Sequence, residues 1–230
     1  KIVVATESEF APFEFKSLVN GKDTLVGADI ELAKAIGEKL GVKVEFSVMS
    51  FDNVLANVQS GKADIAIAGI SVTDERKKVY DFSDSYYTSE NVVIVKKDKV
   101  NDYTSTDSLA KQTVGTQKGS VQETVAKKQI PKASVVSLAS NGEMINELKS
   151  GQLQAVVLEK AIAEGYIAQN DDLTLANFNL KSDGTDAYAV ATRKGSDDLL
   201  KEINAVIKET KDSGKFDQWL KEASTYKQSK

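Results

Sequence analysis

The fold is decided by the stretch SGKADIAIAGISVTDER, residues 60–76. A small polar turn precedes the alternating apolar run 65–68, which predicts a strand. The strand ends in small and polar residues. Gly69 lets a ligand approach the backbone, Ser71 offers a hydroxyl, and Arg76 offers a planar fork that suits a carboxylate. Because ligands usually bind at the carboxyl ends of strands in open α/β sheets, the stretch predicts a site for a small anion or zwitterion.

Upstream of this stretch, strand and helix patterns alternate. Residues 2–5 are typical of a buried strand, 29–40 carry an amphipathic helix pattern, and 42–46 alternate as a second strand. Phe51 leads into a short helix. Asp29 stands where a helix cap is expected. The order strand, helix, strand, helix, strand predicts a mostly parallel sheet flanked by helices.

The second half of the chain repeats this pattern. Ser60-Gly61 ends a helix before the first site strand, and Ser150-Gly151 ends a helix before the apolar strand 155–158. When the two are aligned, Gly69 lies opposite Glu159. The repeat predicts two α/β lobes, each with functional groups at its strand ends, and a cleft between two lobes is a favoured place for a ligand.

Two further strand patterns would carry the chain between the lobes. They cover 91–95 and 187–191, and we expect them to be crossing strands. The domain prediction that follows is a discontinuous first lobe, 1–90 and 188–230, and a second lobe, 91–187.

Composition excludes several classes of function. The 230 residues carry a net charge of −4, which argues against nucleic acid as a partner. The sequence contains no His and no Cys, so it can form no Ser-His-Asp triad, no Cys nucleophile and no thiolate or imidazole metal site. No cofactor, metal or catalytic residue is predicted. No apolar run approaches the length of a membrane span, and a start at Lys1 fits a trimmed mature end.

At this level of detail the chain resembles the polar amino-acid-binding proteins of bacterial ABC importers, the family 3 solute-binding proteins. The matching motifs occur in the family's order over nearly the whole chain: Ala11-Pro12-Phe13, 27–33, Phe51-Asp52, 69–76, Asp81-Phe82-Ser83, 115–120 and 213–216. The resemblance implies the type II periplasmic-binding fold, with two lobes that close by hinge motion.

The resemblance also implies which residues bind the amino-acid backbone of a ligand. Arg76 falls on the family's carboxylate-binding arginine, and Ser71 on the adjacent hydroxyl. The carbonyl of Gly69 and the acidic side chain of Glu159 fall where the family binds the ammonium group. Ser120 and Val121 correspond to a helix start whose N–H groups meet the carboxylate.

The same resemblance places five residues around the ligand side chain: Glu7, Phe10, Phe51, Ala68 and Gln117. Aromatic rings there could hold a flat or cationic side chain by cation–π attraction. Ala68 and Val121 lack the hydroxyls that many relatives carry, so contacts there would come from the backbone.

The charges of this implied site favour a basic ligand. Arg76 is positive, and Glu7 and Glu159 are negative, so a ligand with one carboxylate and two cationic groups balances them. Arginine is favoured, followed by lysine, ornithine and histidine. Glutamine is the rival within the family, because Glu7 and Gln117 could hydrogen-bond a side-chain amide.

The resemblance implies an extracytoplasmic binding protein, either periplasmic or a cell-surface lipoprotein without its anchor. It would deliver a free L-amino acid to a membrane permease as a monomer. Two other classes remain open. A dehydratase or lyase on the same fold would use a cleft carboxylate, Glu7 or Glu159, as general acid or base. A receptor's ligand-sensing domain is the other, and it is disfavoured because no transmembrane remnant is present.

Overall fold

The chain divides into two compact units in the computed structural model, which describes residues 1–88, 90–182 and 187–229. Unit 1 comprises Lys1–Thr88 and Ala187–Lys230, and unit 2 comprises Ser89–Asp186. Ser89, just before one predicted crossing strand, and residues 183–186, just before the other, lie outside the described residues.

The secondary structure follows the predicted alternation. The first part of unit 1 contains β1 (Ile2–Thr6), β2 (Glu9–Phe10), β3 (Glu14–Val19), β4 (Lys22–Val26), α1 (Ala28–Leu40), β5 (Val44–Val48), α2 (Phe51–Gln59), β6 (Ile65–Ala66), α3 (Asp74–Lys77), β7 (Tyr80–Phe82) and β8 (Tyr87–Thr88). Unit 2 contains β9 (Asn91–Lys96), two 3₁₀ turns (Lys97–Lys99 and Asp107–Leu109), β10 (Thr113–Gln117), α4 (Val121–Gln129), β11 (Ser134–Leu138), α5 (Asn141–Ser150), β12 (Ala155–Glu159), α6 (Lys160–Gln169) and β13 (Leu173–Leu175). The chain ends in unit 1 with β14 (Ala187–Tyr188), β15 (Ala191–Arg193), α7 (Asp197–Asp212) and α8 (Lys215–Ala223).

Each unit is built on a five-stranded sheet of the same topology. The sheet of unit 1 has the order β5-β1-β6-β15-β7, and that of unit 2 has the order β11-β10-β12-β9-β13. In unit 1, β1 pairs in parallel with β5 and β6, whereas β15 runs antiparallel to both of its neighbours. In unit 2, β10 pairs in parallel with β11 and β12, whereas β9 runs antiparallel to β12 and β13. One strand of each sheet is therefore reversed within a mostly parallel sheet, and the repeat seen in the sequence is a repeat of topology.

Two predicted strands are shorter in the structure. The alternating run 65–68 is a strand only over Ile65–Ala66, because the chain bends after the N–H of Ile67 donates to the carbonyl of Ala5 at 3.1 Å. The run 187–191 is divided into β14, which pairs with β8, and β15, which joins the main sheet. In both runs the apolar alternation indicates buried residues. The strand pairing, however, stops within the first run and changes partner within the second.

A three-stranded antiparallel sheet, β2-β3-β4, stands beside the start of α1 in unit 1. The N–H of Asp29 donates to the carbonyl of Phe13 at 2.9 Å. Gly27 has a φ of 133°, and a Cβ there would lie 2.1 Å from the carbonyl oxygen of Phe13. Only glycine permits this approach, so the start of α1 is held close to the β2–β3 turn. Among the described residues, no helix combines the length and the hydropathy of a transmembrane span.

Candidate functional site

Two neighbouring strands of unit 1 end in the predicted site residues. Strand β1 leads to Glu7 and pairs with β6, which leads to Gly69 and Ser71. Glu7 and Ser71 are only 4% and 3% exposed, so polar groups are buried at this edge of the sheet. Ser71 forms an antiparallel bridge with Tyr188, which ties the segment after β6 to the chain's return into unit 1.

Arg76 is held by its own loop. The hydroxyl of Thr73 caps α3 by accepting the N–H of Arg76 at 3.1 Å, and Nη1 of Arg76 donates to the carbonyl of Ser71 at 2.8 Å. The guanidinium carbon lies 5.9 Å from the ring centroid of Phe51, within cation–π range. Burial lowers the pKa of Arg76, although nearby Tyr80 and Glu75 oppose the shift. A half-buried, pre-oriented guanidinium beside Ser71 suits a carboxylate ligand.

Gly69 has a left-handed backbone, with φ of 57°. Its N–H donates to Oδ2 of Asp29 at 2.9 Å, in a buried hydrogen bond that spans 40 residues of sequence. A Cβ at this position would lie 2.5 Å from Cε2 of Phe10 and 3.3 Å from Cε2 of Tyr188. Both the φ angle and the close approach of Phe10 therefore require glycine.

The remaining predicted residues of unit 1 are packed into apolar surroundings. Phe10 is 4% exposed and its ring contacts Phe13 at a centroid distance of 5.9 Å. Phe51 begins α2 as predicted and, with the fully buried Ala68, belongs to the core cluster beside β6. Phe10 contacts Gly69 and Phe51 contacts Arg76, so the structure brings these rings to the candidate site while also using them as core.

Unit 2 places Gln117, Ser120 and Val121 at the end of β10. Gln117 is 2% exposed, and its Nε2 donates to the carbonyl of Ala139 at 3.4 Å. The hydroxyl of Ser120 donates to the carbonyl of Gln117 at 2.6 Å and accepts the N–H of Glu123 at 3.3 Å. Ser120 is thus the cap of α4, and Val121 is its first residue, which is the predicted helix start.

Glu159 ends β12 in unit 2 and caps the next helix. Its Oε2 accepts the N–H groups of Ala161 at 2.9 Å and Ile162 at 3.3 Å, at the start of α6. The side chain is 1% exposed. A carboxylate at a helix N-terminus is stabilised in its charged form, which is the form that would pair with an ammonium. β12 pairs in parallel with β10, so Glu159 and Gln117 stand at the same edge of the sheet.

The sequence prediction missed several polar residues beside these strand ends. Asp29 was expected as a cap, but Gly27 occupies that position, and Asp29 instead bonds Gly69 from the first turn of α1. The sequence signal that could have indicated a buried Asp29 was its position among the apolar residues of the helix pattern. Asn141, at the start of α5, is fully buried, and neither side-chain polar atom has a hydrogen-bond partner among the described residues. A single Asn after a cap residue carries no sequence signal for this.

Three of the buried polar groups in unit 1 act on each other. Burial, together with the nearby carboxylates of Asp29 and Glu7, raises the pKa of Glu14 well above its usual range. Burial also raises the pKa of Asp29, although nearby Glu14 and Tyr86 and the hydrogen bond from the N–H of Gly69 oppose that shift. Burial and the two carboxylates raise the pKa of Tyr86 well above its usual range. Within residues 1–88, 90–182 and 187–229, no group of three or more acidic side chains is placed to hold a metal ion.

Comparison with known proteins decides the family. Residues 2–223 match the family model of bacterial extracellular solute-binding proteins, family 3. The chain belongs to this family. The chain is 34% identical to the arginine-binding extracellular protein ArtP of Bacillus subtilis over 226 residues, which cover 96% of this chain and 85% of ArtP.

Solved structures agree with this assignment. One similar structure is an amino acid ABC transporter substrate-binding protein, AbpA, from Streptococcus pneumoniae bound to L-arginine, with 50% identity, a TM-score of 0.94 and coverage of 97% of this chain and 94% of AbpA. Another is an ancestral arginine-binding protein bound to glutamine, with 41% identity, a TM-score of 0.86 and coverage of 96% of both chains. The resemblance to amino-acid-binding proteins of ABC importers and the two-lobed fold class are therefore confirmed. Membership of this extracellular family implies a location outside the cytoplasm. The proteins of the family bind substrates for transport and are not enzymes.

Proposed function

We propose that this solute-binding protein binds a basic L-amino acid, with arginine preferred over lysine, ornithine and histidine, and delivers it to the permease of an ABC importer. The observation that supports this most is the burial of two carboxylates, Glu7 and Glu159, at 4% and 1% exposure. A buried carboxylate is costly unless a cation or hydrogen-bond donors compensate it. Among the residues proposed to contact the ligand, the charged side chains are these two carboxylates and the guanidinium of Arg76, and a ligand of net charge +1 balances that set.

The proposed roles follow the chemistry of each group. Arg76 and Ser71 bind the ligand carboxylate, with the N–H groups at the start of α4, at Ser120 and Val121, as further donors. The carbonyl of Gly69 and the carboxylate of Glu159 accept the α-ammonium. The ligand side chain is surrounded by five residues, which are Glu7, Phe10, Phe51, Ala68 and Gln117.

The two units are proposed to act as the lobes of one binding protein, 1–90 with 188–230 and 91–187. Residues of both would contact the same ligand, so binding would favour the closed arrangement by the difference in affinity between closed and open states. A monomer is expected, and size-exclusion chromatography with light scattering, with and without arginine, tests that expectation.

Titration calorimetry with purified protein tests the ligand assignment. The ligands are arginine, lysine, ornithine, histidine, glutamine and glutamate. Arginine is expected to bind most tightly, and glutamate is expected not to bind, because its second carboxylate would face Glu7. Tighter binding of glutamine than of arginine would overturn the charge argument.

A matched pair of variants tests the role of Arg76. The substitution Arg76→Ala is expected to weaken arginine binding by at least about 100-fold, since two hydrogen bonds between charged groups contribute about 1.5–3 kcal/mol each. The only other arginine of the sequence, Arg193, also binds backbone carbonyls, those of Val58 and Ala63 at 3.0 and 2.8 Å. Arg193→Ala is expected to lower stability and leave the affinity within a few-fold. Equal losses of affinity in both folded variants would contradict the assignment.

Glutamine is the second candidate ligand. Gln117 is buried and offers an amide, and the solved structure of the ancestral relative described above is bound to glutamine. The substitution Glu7→Gln separates the two ligands. If Glu7 pairs with a distal cation, this change weakens arginine binding by about 10-fold or more and changes glutamine binding little. Equal effects on both ligands would remove Glu7 from the specificity argument.

A further inference from the structure

A cluster of three buried polar side chains lies behind the Gly69 turn of unit 1. Glu14 on β3 and Asp29 in the first turn of α1 are 0% exposed, and Tyr86, just before β8, is 3% exposed. The edges of the cluster are aromatic: the ring of Tyr86 contacts Phe216 and Tyr188, at centroid distances of 5.2 and 6.5 Å. None of the three residues was among the predicted site residues, and the family comparison does not assign them a role.

The charges around this cluster require a proton within it. The ionisable groups that act on Glu14 are Asp29 and Glu7, and both are acids. The ionisable groups that act on Asp29 are Glu14 and Tyr86, and the backbone N–H of Gly69 acts on it as well. Tyr86 is in turn influenced by Tyr188. Two ionised carboxylates in such a site would repel each other at low dielectric, so one of the pair stays neutral.

The hydrogen bonds indicate which carboxyl group keeps the proton. Asp29 accepts the N–H of Gly69 at 2.9 Å, whereas neither carboxyl oxygen of Glu14 has a hydrogen-bond partner among the described residues. An ionised carboxylate accepts hydrogen bonds only, whereas a protonated one donates one. A buried carboxylate without a hydrogen-bond donor is costly to ionise, so the arrangement fits an ionised Asp29, which has a donor, and Glu14 in its acid form.

We propose that Glu14 keeps its proton at neutral pH while Asp29 is ionised, and that the charged carboxylate of Asp29 holds the Gly69 peptide in the position that the amino-acid ligand requires. Asp29 is then a positioning residue, because it acts on the ligand through Gly69. Only this last step rests on the proposed function. The proton on Glu14 and the hold on Gly69 are properties of the ligand-free protein.

The first experiment tests the proton. Denaturant unfolding followed by the fluorescence of Trp219, in unit 1, is measured from about pH 4 to pH 8 for the wild type, Glu14→Gln and the exposed control Glu38→Gln. An acid whose pKa is raised by folding stabilises the folded state below its unfolded pKa, and this stability is lost as the pH rises toward the folded pKa. The unfolding constant of the wild type should therefore rise relative to E14Q by up to about tenfold per pH unit above about pH 4.5, whereas E38Q should follow the wild type.

A second measurement serves if E14Q does not fold. In the wild type, ¹³C NMR of the Glu side-chain carboxyl groups should show one group that is still protonated at pH 7. A wild-type to E14Q ratio that does not change with pH, or a spectrum in which every Glu carboxyl is ionised at pH 7, would overturn the assignment of the proton.

The last experiment tests the hold on Gly69. Amide hydrogen exchange of Gly69 is measured without ligand in Asp29→Ala, Asp29→Asn and Asp64→Ala. Asp64 is the matched control, because its Oδ2 accepts the N–H of Val3 at 2.7 Å elsewhere in unit 1. D29A should expose the Gly69 amide to exchange at least tenfold faster than in the wild type. D29N, which keeps an oxygen acceptor, should restore much of the protection, and D64A should leave it unchanged.

Arginine affinity completes the test. D29A should weaken binding at least tenfold, D29N less, and D64A less than twofold. Wild-type protein that binds none of the amino acids would refute the proposed function, while the exchange data would still decide the hold on Gly69. Unchanged exchange and affinity in folded D29A would overturn the role of Asp29.

Discussion

Replacing Gly69 by alanine tests whether this turn is as constrained as its geometry indicates. A non-glycine residue at φ of 57° costs about 1–2 kcal/mol, because Cβ then crowds the backbone. The new Cβ would also lie 2.5 Å from a ring carbon of Phe10, which is 4% exposed and packed on Phe13, so the ring has to move. Such overpacking costs about 1–3 kcal/mol more. The expected loss is the sum, about 2–5 kcal/mol of the free energy of unfolding.

Gly41 is the matched control. It follows α1 with a similar φ of 68°, but a Cβ there meets no atom within 4 Å. Gly41→Ala should therefore cost only the conformational term, about 1–2 kcal/mol. The difference between the two variants isolates the crowding of Phe10. In the double variant Phe10→Leu/Gly69→Ala, part of that difference should be recovered, because leucine is narrower than the phenyl ring.

Urea unfolding followed by Trp219 fluorescence is the assay, because the only tryptophan of the sequence lies in α8 of unit 1, the unit that holds both glycines. The reasoning predicts that Gly69→Ala is less stable than Gly41→Ala by about 1–3 kcal/mol. A Gly69→Ala variant as stable as Gly41→Ala, or a double variant that recovers nothing, would refute the proposed contact between Phe10 and the turn.

Three further predictions concern other buried or capping groups. Ser140→Ala should cost about 1 kcal/mol in thermal unfolding followed by circular dichroism, because the hydroxyl caps α5 by accepting the N–H of Glu143 at 3.2 Å, and Ser140→Asp should keep most of that stability. The N–H of Gly195 donates to Asp81 at 2.8 Å and lowers the pKa of its carboxyl group, so the stability that Asp81 contributes is present at neutral pH and is lost as the pH falls. The substitution Asp81→Asn should therefore be destabilising at pH 7 and nearly neutral at pH 2. An effect on stability that is the same at both pH values would contradict this reasoning. Asn141→Leu should leave the ligand-free protein as stable as the wild type or more stable by about 1 kcal/mol, because the buried amide gains no hydrogen bond from the described residues, and a loss above about 2 kcal/mol in thermal unfolding would contradict that reasoning.

Local patterns were sufficient for the order of elements. Alternation with a period of two and amphipathic spacing near 3.6 depend only on which face of a segment is buried, so β1, α1 and α2 were predicted to within two residues. The Ser-Gly pair that follows both α2 and α5 likewise predicted two units, and their sheets have the same topology. The absence of His and Cys from the sequence was sufficient to exclude a Ser-His-Asp triad, a Cys nucleophile and a thiolate or imidazole metal site.

Strand limits depended on partners far away in sequence. The run 187–191 alternates throughout, yet its first part pairs with β8 and the next strand pairs with β6 and β7. Nothing within such a run indicates where one partner replaces another, because register is set by long-range pairing. The run 65–68 shortened for the same reason, at the point where the chain leaves β1.

What the sequence determined by itself is the alternation of strands and helices, the family, and a set of strand-end residues whose charges favour a basic amino acid. Tertiary structure decided how those residues are held. Asp29 accepts the N–H of Gly69, 40 residues away in sequence, and like nearby Glu14 it is fully buried. The physical reason is that burial and electrostatic coupling depend on what surrounds a group in three dimensions, and a one-dimensional pattern reports only the neighbours along the chain.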